Sequence, residues 1–147
     1  MKKELLRAQC EMLNAAISKV TSLYGVWAKK HGLNYNSLMV LYTMEDESCR
    51  TQKDICEKWM LPKTTVNTIL AEFRAKGYIT FASESRDKRE KTIELTTAGR
   101  EYSSSILPAL HELETRVLGR MGTEQREALV NGNVLFGEYF EREVAHE

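Results

Sequence analysis

Two stretches of this 147-residue sequence concentrate side chains that grip anions. The first is Lys63-Thr64-Thr65-Val66-Asn67-Thr68, which packs one cation, three hydroxyls and an amide into six residues. Short hydroxyl side chains hydrogen-bond phosphates or base edges, and an asparagine can pair with N6 and N7 of adenine. At the start of a helix such residues also lie beside backbone N–H groups that favour phosphate. Thr51, at the head of the preceding helical pattern, is a further candidate for the same reason. The second stretch is Arg86-Asp87-Lys88-Arg89-Glu90-Lys91, with four cations in six residues. On a loop tip these could enter a minor groove, where negative potential is concentrated. Asp87 could hold one arginine in a fixed pose through charge-assisted bonds. The plain alternative for both stretches is solvated surface.

Other chemistry finds little support. His31, His111 and His146 are scattered without metal-ligand spacing, and no GxSxG, P-loop or GxGxxG pattern occurs. Catalysis, a metal and a cofactor are therefore not expected. Cys10, Cys49 and Cys56 are an odd number at spacings that suit neither a disulfide framework nor a CxxC site. They read as free thiols. Cys56 suits a close helix crossing, and Cys49 reads as an exposed turn residue.

The elements that must position the two anion-binding stretches follow from periodicity. Leu6, Cys10, Leu13, Ile17, Val20, Tyr24 and Trp27 recur at alternating steps of four and three, which predicts one helix from about Lys3 to Lys30. Gly32 ends it. Asn34 caps a second helix carrying Leu38 and Leu41, and residues 45–48 read as a polar turn. Thr51-Gln52-Lys53-Asp54 resembles a capping box and opens a short helix to Trp59. Pro62 suits the first position of the next helix, which runs to Lys76 with Val66, Ile69, Leu70 and Phe73 inward. Beyond Gly77, residues 78–81 and 91–95 read as strands, joined by the charged segment 82–90. Thr96 or Thr97 caps a helix to about Met121 that contains Pro108 and should kink there. Gly122-Thr123 breaks the chain before a last helix carrying Leu129, Phe136 and Phe140.

The predicted class is mainly α with a small β-wing: a winged helix-turn-helix at residues 34–96, with long terminal helices at 1–31 and 97–147 serving dimerisation. In such a unit the second helix of the pair lies in the major groove. The formal net charge is zero, but Arg50 to Lys91 holds ten cations against six carboxylates, an excess of four. A basic module on an acidic frame fits nucleic acid. The composition is that of a globular chain, 42% hydrophobic and 29% charged. Met1-Lys2-Lys3 is not followed by an apolar h-region, and no stretch approaches a membrane span, so a cytoplasmic location without membrane contact is expected.

Thr51-Gln52-Lys53-Asp54-Ile55, Leu61-Pro62-Lys63-Thr64-Thr65-Val66, Lys76-Gly77-Tyr78-Ile79, Asp87-Lys88-Arg89 and Leu95-Thr96-Thr97-Ala98-Gly99-Arg100 together resemble the MarR family, the multiple-antibiotic-resistance regulators. The resemblance runs along the whole chain. It implies a homodimer joined by the first helix and the last two, a palindromic double-stranded DNA operator, and repression of nearby genes. It also implies release by a small phenolic or anionic effector. The family's wing aspartate and arginine match Asp87 and Arg89. An arginine common two residues after the valine of the recognition helix is replaced by Thr68.

Two triggers are open. Tyr24, Trp27, Met39 and Tyr42 could line an effector cleft between the first two helices and the wing module, or simply form core. Cys10 could be a redox sensor, since the family's organic-hydroperoxide sensors carry a reactive cysteine early in the first helix. Their activating tyrosine, four residues later, is Asn14 here. A rival from another class is a winged domain used for protein contact. The charge density of residues 86–91 speaks against it, and a steep salt dependence of DNA binding would separate the two.

Overall fold

A computed structural model describes residues 1–46, 48–82 and 91–147. Six helices and two strands follow one another: α1 (Lys2–Lys30), α2 (Tyr35–Thr43), α3 (Gln52–Trp59), α4 (Lys63–Ala75), β1 (Ile79–Ala82), β2 (Thr92–Leu95), α5 (Thr97–Gly119) and α6 (Thr123–Ala145). This is the winged helix-turn-helix order expected from the sequence. The chain divides into two compact units, Met1–Ile106 and Leu107–Glu147, and α5 contributes to both.

In the first unit, α2 is the central element. Leu38, Val40 and Leu41 are fully buried, as are Ile55 of α3 and Val66 of α4. Ile69, Leu70 and Phe73 complete the inner face of α4, so the apolar residues that predicted the helix are those it buries. Asn34 caps α2 by accepting from Ser37 N at 2.8 Å. Gly32, at φ +79°, takes the left-handed conformation that ends α1. Thr43 is a buried hydroxyl that donates to the Met39 carbonyl at 2.8 Å and accepts from Trp59 Nε1. The Trp59 ring stands edge-on to Tyr42, with centroids 5.8 Å apart. The Thr43 oxygen thus satisfies the indole N–H between α2 and α3, while its own proton is satisfied within α2.

The wing strands pair antiparallel, with Ile79 opposite Leu95 and Phe81 opposite Ile93. Ile79 and Ile93 are buried while Thr80 and Glu94 face outward, the alternation of a one-sided sheet. Both strands begin one residue later than the sequence pattern suggested. Tyr78 lies outside the ladder because its N–H returns to Phe73 O at 2.9 Å, closing α4, and its carbonyl accepts from Thr96 N at 3.0 Å. Its ring stacks on Tyr102 of α5 at 4.3 Å. An unforeseen contact ties β2 to the segment before α3: Ile93 N donates to Arg50 O at 2.6 Å.

Helix ends account for the remaining differences. Pro62 is the N-cap of α4, not its first residue. Thr96 is the residue that caps α5, its hydroxyl accepting from Gly99 N at 3.0 Å. That helix continues through Pro108 and stops at Gly119, short of Met121. Gly122 precedes α6, with Gln125 Oε1 accepting from its N–H at 3.1 Å.

In the second unit, Leu107 and Leu110 are buried, whereas α6 buries no residue. Leu129, Val130, Val134, Leu135, Tyr139, Phe140 and Val144 all remain exposed on it. In the first unit, α1 likewise exposes Leu5, Leu6, Met12, Ile17, Val20, Leu23 and Val26, and buries only Ala28. Among the described residues no helix is long and apolar enough to cross a membrane.

Candidate nucleic-acid interface

The helix pair is built from its caps. Thr51 Oγ1 accepts from Asp54 N at 3.1 Å, and Asp54 Oδ2 accepts from Thr51 N and Arg50 N, both at 3.0 Å. This is a complete capping box, with an aspartate in place of the usual glutamate. Partial burial pushes the Asp54 carboxyl up, but the bonds from Thr51 and Arg50 outweigh it, and its pKa lies below the ordinary 3.8. Asp46, in the turn before α3, is also held well below the usual carboxylate range. Hydrogen bonds from the Ser48 hydroxyl and N–H contribute most, and Lys58 Nζ, 3.1 Å away, adds to them.

Met60 ends α3 in the left-handed region, at φ 52°. A methionine there costs about 1–2 kcal/mol relative to glycine. The turn is closed by Leu61 N donating to Cys56 O at 3.2 Å. Pro62, at φ −60° and ψ 143°, then launches α4, and its carbonyl accepts from Val66 N at 3.1 Å. Gln52 Nε2 reaches across the pair to the Lys63 carbonyl, 3.2 Å away.

These contacts fix which side of α4 faces out. With Val66, Ile69, Leu70 and Phe73 inward, Lys63, Thr64, Asn67 and Thr68 are exposed and Thr65 is half-buried. Thr68 Oγ1 donates to the Thr64 carbonyl at 3.0 Å. Its proton is therefore engaged within the helix, and toward solvent it presents an acceptor. This is a second way in which the position differs from an arginine.

Between α3, α4 and the wing strands lies an open cleft of about 980 Å³. It brings together four of the candidates: Thr51, Lys63, Asn67 and Lys91. Thr64, Thr65 and Thr68 are not in its wall. Arg86, Asp87, Lys88 and Arg89 lie outside the described residues. The cleft adds residues that sequence reasoning passed over: Gln52 and Lys53 from α3, Arg74 from the last turn of α4, and Phe81 from β1. The guanidinium of Arg74 lies over the Phe81 ring, 5.3 Å from its centroid. A signal for Arg74 was present, since steps of four and seven from Lys63 through Asn67 lead to it along one helical stripe.

The effector candidates have other surroundings. Met39 is buried, Tyr42 packs on Trp59, and Trp27 stacks on His31 with centroids 3.8 Å apart. Neither the cleft above nor a smaller one of about 340 Å³ beside β2 includes any of the four in its wall. Cys10 is half-buried, with Asn14 Nδ2 donating to its Sγ at 3.6 Å.

A sequence model described as the MarR family matches residues 31–90, the segment that carries the helix pair and the first wing strand. A MarR family regulator from Neisseria meningitidis has the same fold at a TM-score of 0.84 and 29% identity, over 94% of this chain and 97% of that one. Over these residues and in its fold the chain is similar to the MarR family. The HTH-type transcriptional regulator SarZ of Staphylococcus haemolyticus is 28% identical over 124 residues, 83% of this chain and 82% of its own. A third likeness, of fold alone, is to MepR of Staphylococcus aureus in a complex with DNA. It has a TM-score of 0.70 and 17% identity, over 88% of this chain and 96% of that one. The likenesses are thus to transcriptional regulators, one of them solved in a complex with DNA.

Proposed function

We propose that this regulator works as a homodimer on a palindromic double-stranded DNA operator and represses transcription until a small molecule releases it. The observation that carries the DNA reading is the outward face of α4. Its first two turns, launched by Pro62, present Lys63, Thr64, Asn67 and Thr68 to solvent beside a cleft rimmed with cations. A helix presented in this way enters a major groove with its N-terminal residues at the base edges. Asn67 is the candidate for adenine. Lys63 and Lys91 are candidates for phosphate, together with Thr51 at the head of α3. The wing residues Arg86 to Arg89 are assigned to the adjacent minor groove on sequence grounds.

The dimer reading rests on the apolar faces of α1 and α6. Isolated exposed hydrophobics need no explanation, but two helices that each carry this many do. A second copy of the chain, related by a two-fold axis, would cover them. It would also set two recognition helices about 34 Å apart, one turn of DNA. The effector is taken to be a small phenolic or anionic molecule, as the family resemblance implies, with Tyr24, Trp27, Met39 and Tyr42 as candidate contacts. The test combines light scattering behind a sizing column with DNA titration and transcription in vitro. The reading expects a particle of twice the 16.9 kDa chain mass, one dimer per palindrome, and lower transcript yield. A monomer that neither binds nor lowers transcription would overturn it.

A second reading is favoured by Cys10, a half-exposed thiol in contact with an amide. Peroxide that releases DNA from the wild type but not from Cys10→Ser would make the protein a thiol-based redox regulator. The first reading expects no release by peroxide alone.

A further inference from the structure

The cleft between α4 and the wing has a role that follows from the shape of duplex DNA, given the DNA-binding reading above. If α4 occupies a major groove and the wing the adjacent minor groove, one sugar–phosphate strand separates the two grooves. That strand must pass between α4 and the wing strands. The cleft of about 980 Å³ lies there, and its described wall carries four cations and no carboxylate: Lys53, Lys63, Arg74 and Lys91. Lys63 and Arg74 are 11 residues apart on one helix, so the cationic wall spans roughly 16 Å at 1.5 Å per residue. With one phosphate per 3.4 Å of axis along a strand, several phosphates fall within that length.

We propose that this cleft is the seat of the inter-groove DNA strand, and that Lys53 and Arg74 are phosphate contacts additional to the N-terminal residues of α4 and the wing tip. Arg74 is suited to this role. Its guanidinium lies over the Phe81 ring at 5.3 Å, which restrains a long side chain and keeps its charge at the cleft wall. A restrained arginine loses less freedom on meeting a phosphate than a solvated one. Lys53 is 3.9 Å from Glu57, but both side chains are about two-thirds exposed or more. Such a pair is weak and readily exchanged for a phosphate. Neither residue reads sequence, so their contribution is to affinity on any duplex.

The experiment is a salt series with the full chain and a labelled 30-base-pair duplex of mixed sequence, where binding is almost wholly electrostatic. Variants are Arg74→Ala, Lys53→Ala, Arg74→Lys, and Lys19→Ala on α1 as a charge-matched control. Removing one phosphate-binding cation from the cleft should lower the slope of log affinity against log salt by about 0.9, roughly a fivefold loss at 0.15 M salt. Arg74→Lys should keep the slope, and Lys19→Ala should change neither quantity. Circular dichroism confirms that each variant is folded. Salt-sensitive wild-type binding with slopes for Arg74→Ala and Lys53→Ala equal to that of Lys19→Ala would overturn this assignment alone. A wild type with no salt-sensitive binding would overturn the DNA reading on which it rests.

Discussion

Gln52 Nε2 donates to the backbone carbonyl of Lys63 at 3.2 Å, tying the first turn of α3 to the first turn of α4. The bond spans 11 residues of sequence and crosses the turn at Met60-Leu61-Pro62. It fixes the angle at which the recognition helix leaves its partner. Both ends also belong to the cationic cleft.

Gln52→Glu keeps the size of this side chain but turns the donor into an acceptor and adds a negative charge to the cleft. The exposed bond is worth about 1 kcal/mol of stability, so thermal unfolding should shift only slightly. DNA affinity should fall roughly tenfold, on the order of 1.4 kcal/mol. Fluorescence anisotropy checks this, with Gln52→Ala expected to lie between the two. Equal affinities for wild type and Gln52→Glu would show that the cleft wall does not meet DNA.

Asp54 makes a prediction about pH. Its pKa is lowered in the folded protein from the ordinary 3.8, so its stabilising effect is fully present above about pH 4 and is lost as pH falls through the lower, folded value. Asp54→Ala should therefore destabilise the protein near neutrality by about 1 kcal/mol, a typical helix-cap loss. The gap between variant and wild type should close as pH is lowered below 4. Urea titrations at pH 7 and at pH 3 measure both gaps, and a gap that widens in acid would contradict the sign.

Gly99 lies in the first turn of α5 against the end of α4. A Cβ there would come within 1.9 Å of the Tyr78 carbonyl oxygen and 2.9 Å of its carbon. These are backbone atoms, and that same carbonyl accepts from Thr96 N. Gly99→Ala must displace either α5 or the wing strand, at a cost on the order of 3 kcal/mol. Gly32→Ala, at φ +79° with open space around it, should cost only about 1–2 kcal/mol. Chemical denaturation of the two variants compares a clash with a dihedral penalty.

The apolar faces of α1 and α6 should fail as an interface when charged. Phe140 is 57% exposed in the single chain, so Phe140→Glu should leave helix content unchanged. It should raise the dimer dissociation constant at least a hundredfold, which corresponds to about 2.8 kcal/mol. Sedimentation at low micromolar concentration reads the outcome. A Phe140→Glu dimer as tight as the wild type would remove that residue from the interface.

What the sequence made legible was local. Thr51 and Asp54 are three residues apart, so their capping box could be read as a string, as could the inward positions Val66, Ile69, Leu70 and Phe73 of α4. What it hid was set by distant partners. Nothing near Arg50 announces that its carbonyl takes the N–H of Ile93, and nothing near Tyr78 announces that α4 and Thr96 both claim its backbone. Arg74 and Phe81 meet only because the wing folds back along α4. The bond of Thr68 to the Thr64 carbonyl, which occupies its hydroxyl proton, is likewise seen only in the structure. Tyr24, Trp27, Met39 and Tyr42 shared an aromatic and sulfur character, which serves a ligand wall and a core equally well, so the sequence left both open.

Selective, salt-dependent operator binding is best measured with the purified protein on the duplex upstream of its own gene, compared with a mixed-sequence duplex of equal length from 50 to 200 mM salt. A dimeric DNA-binding regulator should bind the upstream duplex tightly and selectively, as one dimer per palindrome, with affinity falling steeply as salt rises. Equal, salt-insensitive affinity for the two duplexes, or no binding at 50 mM salt, would contradict that role and leave the winged domain as a surface for protein contact.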